Sequence, residues 1–318
     1  MIFINKSEIQ KLNQNIIQTS VEKAYKKALS KDYYMPDRMH TSDGRNSLLL
    51  MPCFSGQYFS TKLVSVFPEA VKHGQPVING IMALFDNISG QPLAIMDGAA
   101  VTAQRTGAVG GLGVKLLTPE KLRTAGILGA GVQGFSQARY LMFNRRIETL
   151  FLYDLNPEAA ENMIKKMEQE FHGVEYIISK TTEELVEKSE VIIAATTAHI
   201  PLFNAEPETI RGKTFISIGS YRPDMQEFPD TVIESADVVF VDTFFAMDES
   251  GDIATPLKKK ADLKHKIKEF SSIFERNPYA EDKTIFFKSV GMGLFDLTVS
   301  SAIYQAALEK KFGHVIDF

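Results

Sequence analysis

Residues 124–156 read TAGILGAGVQGFSQARYLMFNRRIETLFLYDLN, and the parsing of this stretch decides the fold. An apolar run, Ala125 to Leu128, enters Gly129-Ala130-Gly131-Val132-Gln133-Gly134. Helical spacing then continues to about Asn144, and a second apolar run ends in Asp154. The order is strand, glycine turn, helix, strand. Gly129 makes the tight turn, Gly131 admits a pyrophosphate close to the backbone, and Gly134 lets the helix pack on the strand. The helix N-terminus offers unpaired N–H groups and a partial positive charge to the phosphates. Asp154, about twenty residues past Gly134, stands where a carboxylate accepts hydrogen bonds from the adenosine ribose hydroxyls. Such an acid repels a 2′-phosphate, so NAD(H) is favoured. NADP(H) stays possible because Arg145 and Arg146 follow the helix. Glycine turns also occur for packing alone, but here the flanking elements and the distant acid select dinucleotide binding.

A chain of 318 residues is long enough for two domains with buried cores. With 44% hydrophobic and 23% charged residues and a formal net charge of −4, the composition argues against a nucleic-acid surface. The one dense basic run, Lys258 to Lys268, is interspersed with Asp262, Leu263, Ile267 and Glu269 and reads as a solvated helix face. The single cysteine, Cys53, excludes an intrachain disulfide and fits a reducing compartment. The opening MIFINKSEIQKLNQN turns polar after four residues, so neither a signal peptide nor a membrane span is expected and a cytoplasmic location is. No metal site is expected.

Residues 1–118 do not read as a nucleotide fold. Ile2 to Ile4 suits a short strand, and Ser7 to Leu29 has helical spacing in two pieces. A polar loop with Arg38, His40 and Asp43 follows. Strand-like runs come next at Ser47–Met51, Tyr58–Phe67, Gly80–Phe85 and Pro92–Met96, the last two joined by a hairpin turn at Asp86–Gly90. Helices followed by strands predict an α+β domain with a curved or barrel-like sheet. Lys62 sits among Phe59, Leu63, Val64 and Val66. A lysine in an apolar strand must reach solvent, be neutralised, or meet an anion. The helix Ala99–Leu117 is rich in Ala and Gly. Gly107, Gly110, Gly111 and Gly113 each cost up to about 1 kcal/mol of helix propensity relative to Ala, which tight packing against the cofactor domain or a ligand would offset. Arg105 on this helix either forks onto a carboxylate or forms an interdomain salt bridge.

Past Asp154 the alternation continues, with helices from Asn156 to about Phe171 and from a capping box at Thr181/Glu184. Strands at Val174–Ile178, Val191–Ala195, Thr214–Gly219 and Asp237–Asp242 lie between them. The last three of these strands finish in Thr196-Thr197, in Ser220-Tyr221 and in Thr243, small or hydroxyl residues suited to lie beside a nicotinamide at the carboxyl edge of the sheet. Charged helices from Lys258 to Arg276 are expected to cover the sheet. Thr284–Ser289 is a last strand, and Gly291 and Gly293 turn the chain into a helix from Leu294 to Lys311. Asp296 near its first turn reads as a favourable N-terminal charge.

Taken together, the glycine turn, the Arg105-Thr106-Gly107 helix, the isolated Lys62 and the segment Gly219-Ser220-Tyr221-Arg222-Pro223-Asp224-Met225-Gln226-Glu227 resemble the ornithine cyclodeaminase/μ-crystallin family over nearly the whole length. The resemblance implies a Rossmann-type doubly wound sheet (residues 119–292) inserted in an α+β substrate and dimerisation domain (1–118), with a C-terminal helix (293–318) returning to the first domain, in a homodimer. It implies that Arg38, Lys62 and Arg105 gather a substrate carboxylate. Two departures stand out. Leu49 and Leu50 precede Met51-Pro52, taken as a strand end, where the cyclodeaminase has an acid reaching the substrate amine. Tyr221 stands where the cyclodeaminase has an aspartate that assists cyclisation. Both carboxylates for handling a diamine are missing.

The reaction expected is NAD(P)H-dependent reduction of a small α-imino acid such as Δ1-pyrroline-2-carboxylate, or the reverse dehydrogenation. Arg105 anchors the carboxylate, with Arg38 assisting, while Lys62 completes the clamp or donates the proton and Tyr221 hydrogen-bonds or packs. Cofactor contacts are expected from Thr106, Gly129, Gly131, Val132, Gln133, Gly134, Asp154, Thr196, Thr197, Gly219 and Gly291. Cyclodeamination of ornithine is the alternative, with Asp224 or Glu227 as replacement carboxylate. A nucleotide-loaded binding protein without turnover is the third reading.

Overall fold

In the computed structural model, which describes residues 1–275 and 282–317, the chain opens with strand β1 (Ile2–Ile4) and helices α1 (Lys6–Gln10) and α2 (Gln14–Ser30). Each helix starts at an asparagine whose side chain accepts a first-turn N–H, and Glu8 returns to the Asn5 N–H to close a capping box. Then come β2 (Met39–Ser42), β3 (Ser47–Ser55), β4 (Tyr58–Val66), β5 (Ile78–Asp86), β6 (Pro92–Asp97) and α3 (Gly98–Leu117). An alternating region follows: β7 (Thr124–Leu128), α4 (Val132–Asn144), β8 (Thr149–Tyr153), α5 (Pro157–Glu170), β9 (Glu175–Ile178), α6 (Thr182–Lys188) and β10 (Val191–Ala194). It continues through α7 (Pro207–Ile210), β11 (Thr214–Ser217), α8 (Asp230–Ser235), β12 (Val238–Val241), α9 (Ala246–Glu249), α10 (Gly251–Lys259), β13 (Ile267–Glu269) and β14 (Ile285–Lys288). Helix α11 (Gly293–Lys310) and β15 (His314–Val315) close the chain. Two compact units result, Met1–Arg105 with the chain from Met292 onward, and Thr106–Gly291, the division falling inside α3. Among the described residues no helix is long and apolar enough to cross a membrane.

The first unit is built on one sheet, ordered β15-β1-β6-β5-β4-β3-β2, antiparallel except where β1 meets β6. It is open, with β15 and β2 as edges, rather than a closed barrel. Helix α11 lies across β3 to β6 and against α2. Ile17, Val21, Ala24 and Tyr25 form the buried stripe of α2, where Tyr25 meets Phe295 edge-on at 4.9 Å between centroids. On the other face of the sheet Phe54, Phe59 and Phe85 stack at 4.9 and 4.7 Å, and Leu50, Leu63 and Ile81 follow in register. That second face is only half-buried.

The stretch expected to be a loop around His40 contains strand β2, and β3 continues through Met51-Pro52 instead of ending there. The reason is visible in the ladder. Phe54 exchanges hydrogen bonds with Tyr34 on the side away from β4, so position 52, two residues earlier, turns the same way. There β2, which pairs only as far as Leu50, has already ended, and the proline's missing N–H leaves no ladder bond unmade.

The second unit has eight parallel strands in the order β13-β12-β14-β11-β10-β7-β8-β9. Val191, Ile192, Ile193 and Ala194 of β10 are all buried, as expected for a parallel strand covered on both faces. The strand order reverses between β7 and β10. The part of α3 within this unit explains its glycines: a Cβ at Gly107 would lie 2.2 Å from Ser136 Oγ, one at Gly110 1.8 Å from Gln137 Oε1, and one at Gly113 2.7 Å from the Phe287 ring. Packing on α4 and β14 at this distance offsets the lost helix propensity.

Three expectations need correction here. Strand β14 inserts between β11 and β12, so Thr243 after β12 is carried two strands away from β11 instead of sharing its neighbourhood. The charged stretch after Lys258 is not helix throughout, because Ile267–Glu269 is the edge strand β13 paired to β12; Arg276 lies outside the described residues. At α6, Thr181 caps Glu184 N, but the Glu184 carboxylate returns to Lys180 N, one residue earlier than a closed capping box requires.

Candidate active site

In the first unit, Lys62 lies on the face of β4 covered by α11 and is 3% exposed. Its Nζ is 2.9 Å from Asp296 Oδ2, and Arg105 Nε is 3.2 Å from Asp296 Oδ1. Asp296 itself is fully buried. These are close charge contacts off hydrogen-bond directions: neither Asp296 oxygen and not Arg105 Nε has an aligned hydrogen-bond partner. Buried groups with unspent hydrogen-bonding capacity mark either strain or a place for a ligand.

Burial alone would raise the Asp296 carboxyl, but Lys62 and Arg105 outweigh it and hold the group below the usual carboxylate range. Burial lowers the Lys62 ammonium, and the like charges of Arg105 and Arg38 lower it further against the pull of Asp296. Arg38 is half-buried just before β2. Leu49 and Leu50 sit opposite Val64 and Leu63 in the ladder. Asp296 does stand in the first turn of α11, but that local reading is incomplete, because the carboxylate is also the counter-ion of two cations. One signal for it was present in the sequence. Asp296 is flanked by Leu294, Phe295 and Leu297, apolar surroundings in which a carboxylate needs a partner.

In the second unit, Gly129 has φ +97°, and a Cβ on it would lie 2.8 Å from Ala195 O. A Cβ on Gly134 would lie 1.8 Å from Gly129 O. Nothing lies within 4 Å of a Cβ on Gly131, which is the N-cap of α4 and brings no capping side chain. No side chain caps the first turn of α4, and Val132 is 73% exposed. Thr106 Oγ1 and Gln133 Oε1 are buried without hydrogen-bond partners. Asp154 is fastened at this turn, its Oδ2 accepting Ala130 N at 2.7 Å and its Oδ1 accepting Asn156 N at 2.8 Å. An open glycine turn, orphaned polar atoms and a fixed carboxylate fit a dinucleotide.

Arg145 does not belong to that constellation. Its guanidinium donates to the carbonyls of Lys115, Thr118, Pro119 and Asn144, past the far end of the 13-residue helix α4 from Gly131. Arg146 follows it there, exposed. The relaxation of cofactor preference expected from this pair is withdrawn for Arg145, whose donors are spent.

At the ends of β10 and β11, Thr196 and Gly219 direct their N–H groups inward to Glu227, and Gly291 donates to Asp242 at 2.9 Å. Any contact these three make with a cofactor uses other atoms. Thr197 is exposed, and Tyr221 is 45% exposed beside the Arg222–Asp224 ion pair. Glu227 is completely buried, and both its carboxylate oxygens already accept from the Thr196, Gly219 and Ser220 amides. The structure thus gathers Lys62 and Arg105 around Asp296 in one unit, with the charge of Arg38 reaching Lys62, and the glycine turn with Asp154 in the other.

Comparisons with known proteins find relatives over nearly the whole chain. A Δ1-pyrroline-2-carboxylate reductase of Bacillus cereus is 30% identical over 289 residues, covering 89% of this chain and 88% of that protein. The ketimine reductase mu-crystallin of Rattus norvegicus is 30% identical over 265 residues, covering 82% and 81%. Among solved structures, that of Thermococcus litoralis Δ1-pyrroline-2-carboxylate reductase in complex with NADH and L-proline superposes with a TM-score of 0.91 at 30% identity, covering 99% of this chain and 100% of that one. The family model for ornithine cyclodeaminase/mu-crystallin matches residues 4–311. The chain belongs to the ornithine cyclodeaminase/mu-crystallin family.

Proposed function

We propose that this protein reduces a small α-imino acid of the Δ1-pyrroline-2-carboxylate kind to the L-amino acid, using NADH. The observation that carries the reading is the buried set of Lys62 and Arg105 around Asp296, with Arg38 nearby. Lys62 and Arg105 share one buried carboxylate, an excess of positive charge that a substrate carboxylate would neutralise. The names of the relatives, reductases of cyclic imino acids, support the same substrate class.

Overall an imino acid, NADH and one proton give the amino acid and NAD⁺. A bound nicotinamide would supply the hydride for the α-carbon. The chain's own residues do the rest. Arg105 presents its fork to the substrate carboxylate, and Arg38 adds charge. Lys62, buried and with its pKa lowered, is the group from which the imine nitrogen takes its proton. Asp296 keeps the two cations apart from each other and aimed. Residues 129–134 receive the pyrophosphate on the α4 N-terminus, and Asp154 holds the ribose and disfavours a 2′-phosphate. Thr106, Val132, Gln133, Thr196, Thr197, Gly219 and Gly291 complete the proposed cofactor contacts, and Tyr221 borders the substrate.

Residues 1–118 are proposed to hold substrate and to pair two copies through the half-buried apolar face of their sheet, 119–292 to hold the cofactor, and the C-terminal helix to belong to the first domain. A cytoplasmic setting suits Cys53, a buried thiol pushed up to about 12 by burial and Asp296 and hence inert. Cyclodeamination loses ground because Glu227 is sealed off and Asp224 is paired to Arg222.

The test is to follow NADH absorbance with purified protein and Δ1-pyrroline-2-carboxylate. Consumption of NADH with equal formation of L-proline is expected. Ammonia and proline released from ornithine with no net change in NADH would overturn the reading.

A further inference from the structure

A buried charged cluster that the reduction does not use lies beneath the ends of β10 and β11. Glu227, Asp252, Lys288, Ser217 and Ser220 are all fully buried. Glu227 Oε1 accepts Thr196 N at 2.6 Å and Thr196 Oγ1 at 2.9 Å. Its Oε2 accepts Gly219 N at 2.8 Å and Ser220 N at 3.1 Å and lies 3.1 Å from Ser217 Oγ. One carboxylate therefore staples the last residues of two neighbouring strands. Asp252 Oδ1 in turn accepts the backbone N–H groups of Glu227 and Phe228 at 2.7 and 2.9 Å, fixing the segment that carries the staple. Ser217 Oγ bridges the rest, 2.6 Å from Asp252 Oδ2 and accepting from Lys288 Nζ at 2.8 Å. There is no slack at the join, since a Cβ on Gly219 would fall 2.0 Å from Thr196 O.

Such a cluster is a poor device for stability alone. Burying three ionisable groups carries a desolvation cost that apolar residues of the same volume avoid. Its position indicates a different use. The strand order reverses between β7 and β10, and open α/β sheets bind dinucleotides across that reversal. Asp154, after β8, marks the adenosine side, so the nicotinamide half falls to the side of β10 and β11.

We infer that Glu227 is a positioning residue for the nicotinamide half of the cofactor: by drawing the Thr196, Gly219 and Ser220 amides onto one buried carboxylate, it fixes the sheet edge against which that half rests. The inference rests on the dinucleotide reading and extends it to a residue that touches neither cofactor nor substrate.

The experiment compares the full-length protein with its Glu227→Gln variant, titrating each with NADH and with ADP-ribose, which lacks the nicotinamide. Glu227→Gln keeps the volume but sets an NH₂ group against backbone N–H donors. The NADH Kd is expected to rise about tenfold, the scale of one lost charge-assisted hydrogen bond, while that for ADP-ribose stays within about twofold. Equal weakening of both ligands, or no change in either, overturns the inference. Should Glu227→Gln fail to fold, Ser217→Ala removes a hydroxyl donor to the Glu227 carboxylate at a residue that is no proposed cofactor contact, and the same selective loss for NADH is required of it. No imino acid enters the titrations, so a wrong substrate assignment leaves them valid. Failure of the wild-type protein to bind either ligand would sink the dinucleotide reading and this inference with it.

Discussion

The Lys62 ammonium and the Asp296 carboxylate meet at 2.9 Å inside the first unit, one from the middle of a strand and the other from the first turns of the last helix, each almost wholly removed from water. Removing one partner of a buried pair leaves the other charge uncompensated, at a cost on the order of 3–5 kcal/mol. Asp296→Asn should therefore lower stability by about that much at neutral pH. Its pH dependence has a definite sign. Asp296 is depressed in the folded state, so its contribution is fully present above the unfolded value of about 3.9 and fades as pH falls through the lower folded value. Urea melts of both proteins should show a constant gap from neutral pH down to about 4 and a closing gap below. A gap that persists undiminished in acid would contradict the ion pair.

Lys62 leads to a kinetic prediction. Burial, Arg105 and Arg38 hold its ammonium below the ordinary lysine value, and Asp296 opposes them. If Lys62 supplies the proton, kcat for imine reduction falls as pH rises through this lowered pKa, with an inflection below about 10.4. Asp296→Asn removes the opposing negative charge and should move the inflection further toward neutrality in whatever activity survives. Lys62→Met should lower kcat by roughly 10²–10⁴ while NADH still binds. A Lys62→Met enzyme with unchanged kcat would assign the proton elsewhere, Tyr221 being the next candidate.

How far these groups could be read beforehand depended on whether their reasons were local. Gly129, Gly131, Gly134 and Asp154 were legible because each answers a demand made within one strand–turn–helix–strand unit. Lys62 and Arg105 were legible as cations in apolar surroundings. Their shared counter-ion was not, because Asp296 near a helix start already has a sufficient local explanation. Arg145 misled by adjacency: it follows the glycine helix in sequence, but 13 residues of α-helix rise about 20 Å, which puts it at the wrong end. The insertion of β14 between β11 and β12 leaves no trace in any local pattern, and Thr243 was misplaced accordingly. Glu227 was visible only as an acid, since its role depends on two loops that converge only in the folded sheet.

Asp154 should make the enzyme choose NADH over NADPH. Its carboxylate is held by Ala130 N and Asn156 N, and the neighbouring Leu155 is 90% exposed and uncharged. Like charges brought together cost several kcal/mol, so kcat/KM with NADH should exceed that with NADPH by about a hundredfold or more. Replacing the acid and supplying a cation, Asp154→Ser with Leu155→Arg, should reverse the order. Equal use of both cofactors by the wild-type protein would remove Asp154 from the ribose.

The half-buried face of the first sheet should hold two copies together. Phe54, Phe59 and Phe85 stack there, and Ile81, in register with Leu63, is 46% exposed. An apolar patch of this kind marks an interaction surface. Light scattering should give a dimer for the wild-type chain and a smaller species for Ile81→Asp, whose charge has no partner on a self-paired face. A wild-type monomer at micromolar concentration would refute the pairing.

Two glycine substitutions separate folding from cofactor binding. At Gly110, Ala gains up to about 1 kcal/mol of helix propensity, but its Cβ would lie 1.8 Å from Gln137 Oε1 and 2.8 Å from the carbon bearing it. Overpacking of that degree costs about 1–3 kcal/mol, so Gly110→Ala should lower Tm in spite of the better helix former. Gly131 has φ −74° and nothing within 4 Å of a would-be Cβ. Gly131→Ala should therefore lose no more than about 1 kcal/mol, at the N-cap. Its methyl nevertheless stands in the space through which a pyrophosphate reaches the α4 N-terminus. Calorimetric titration should show NADH weakened in Gly131→Ala far more than its Tm explains. If Gly131→Ala binds NADH as tightly as the wild type, the open side of the turn is not where the phosphates lie.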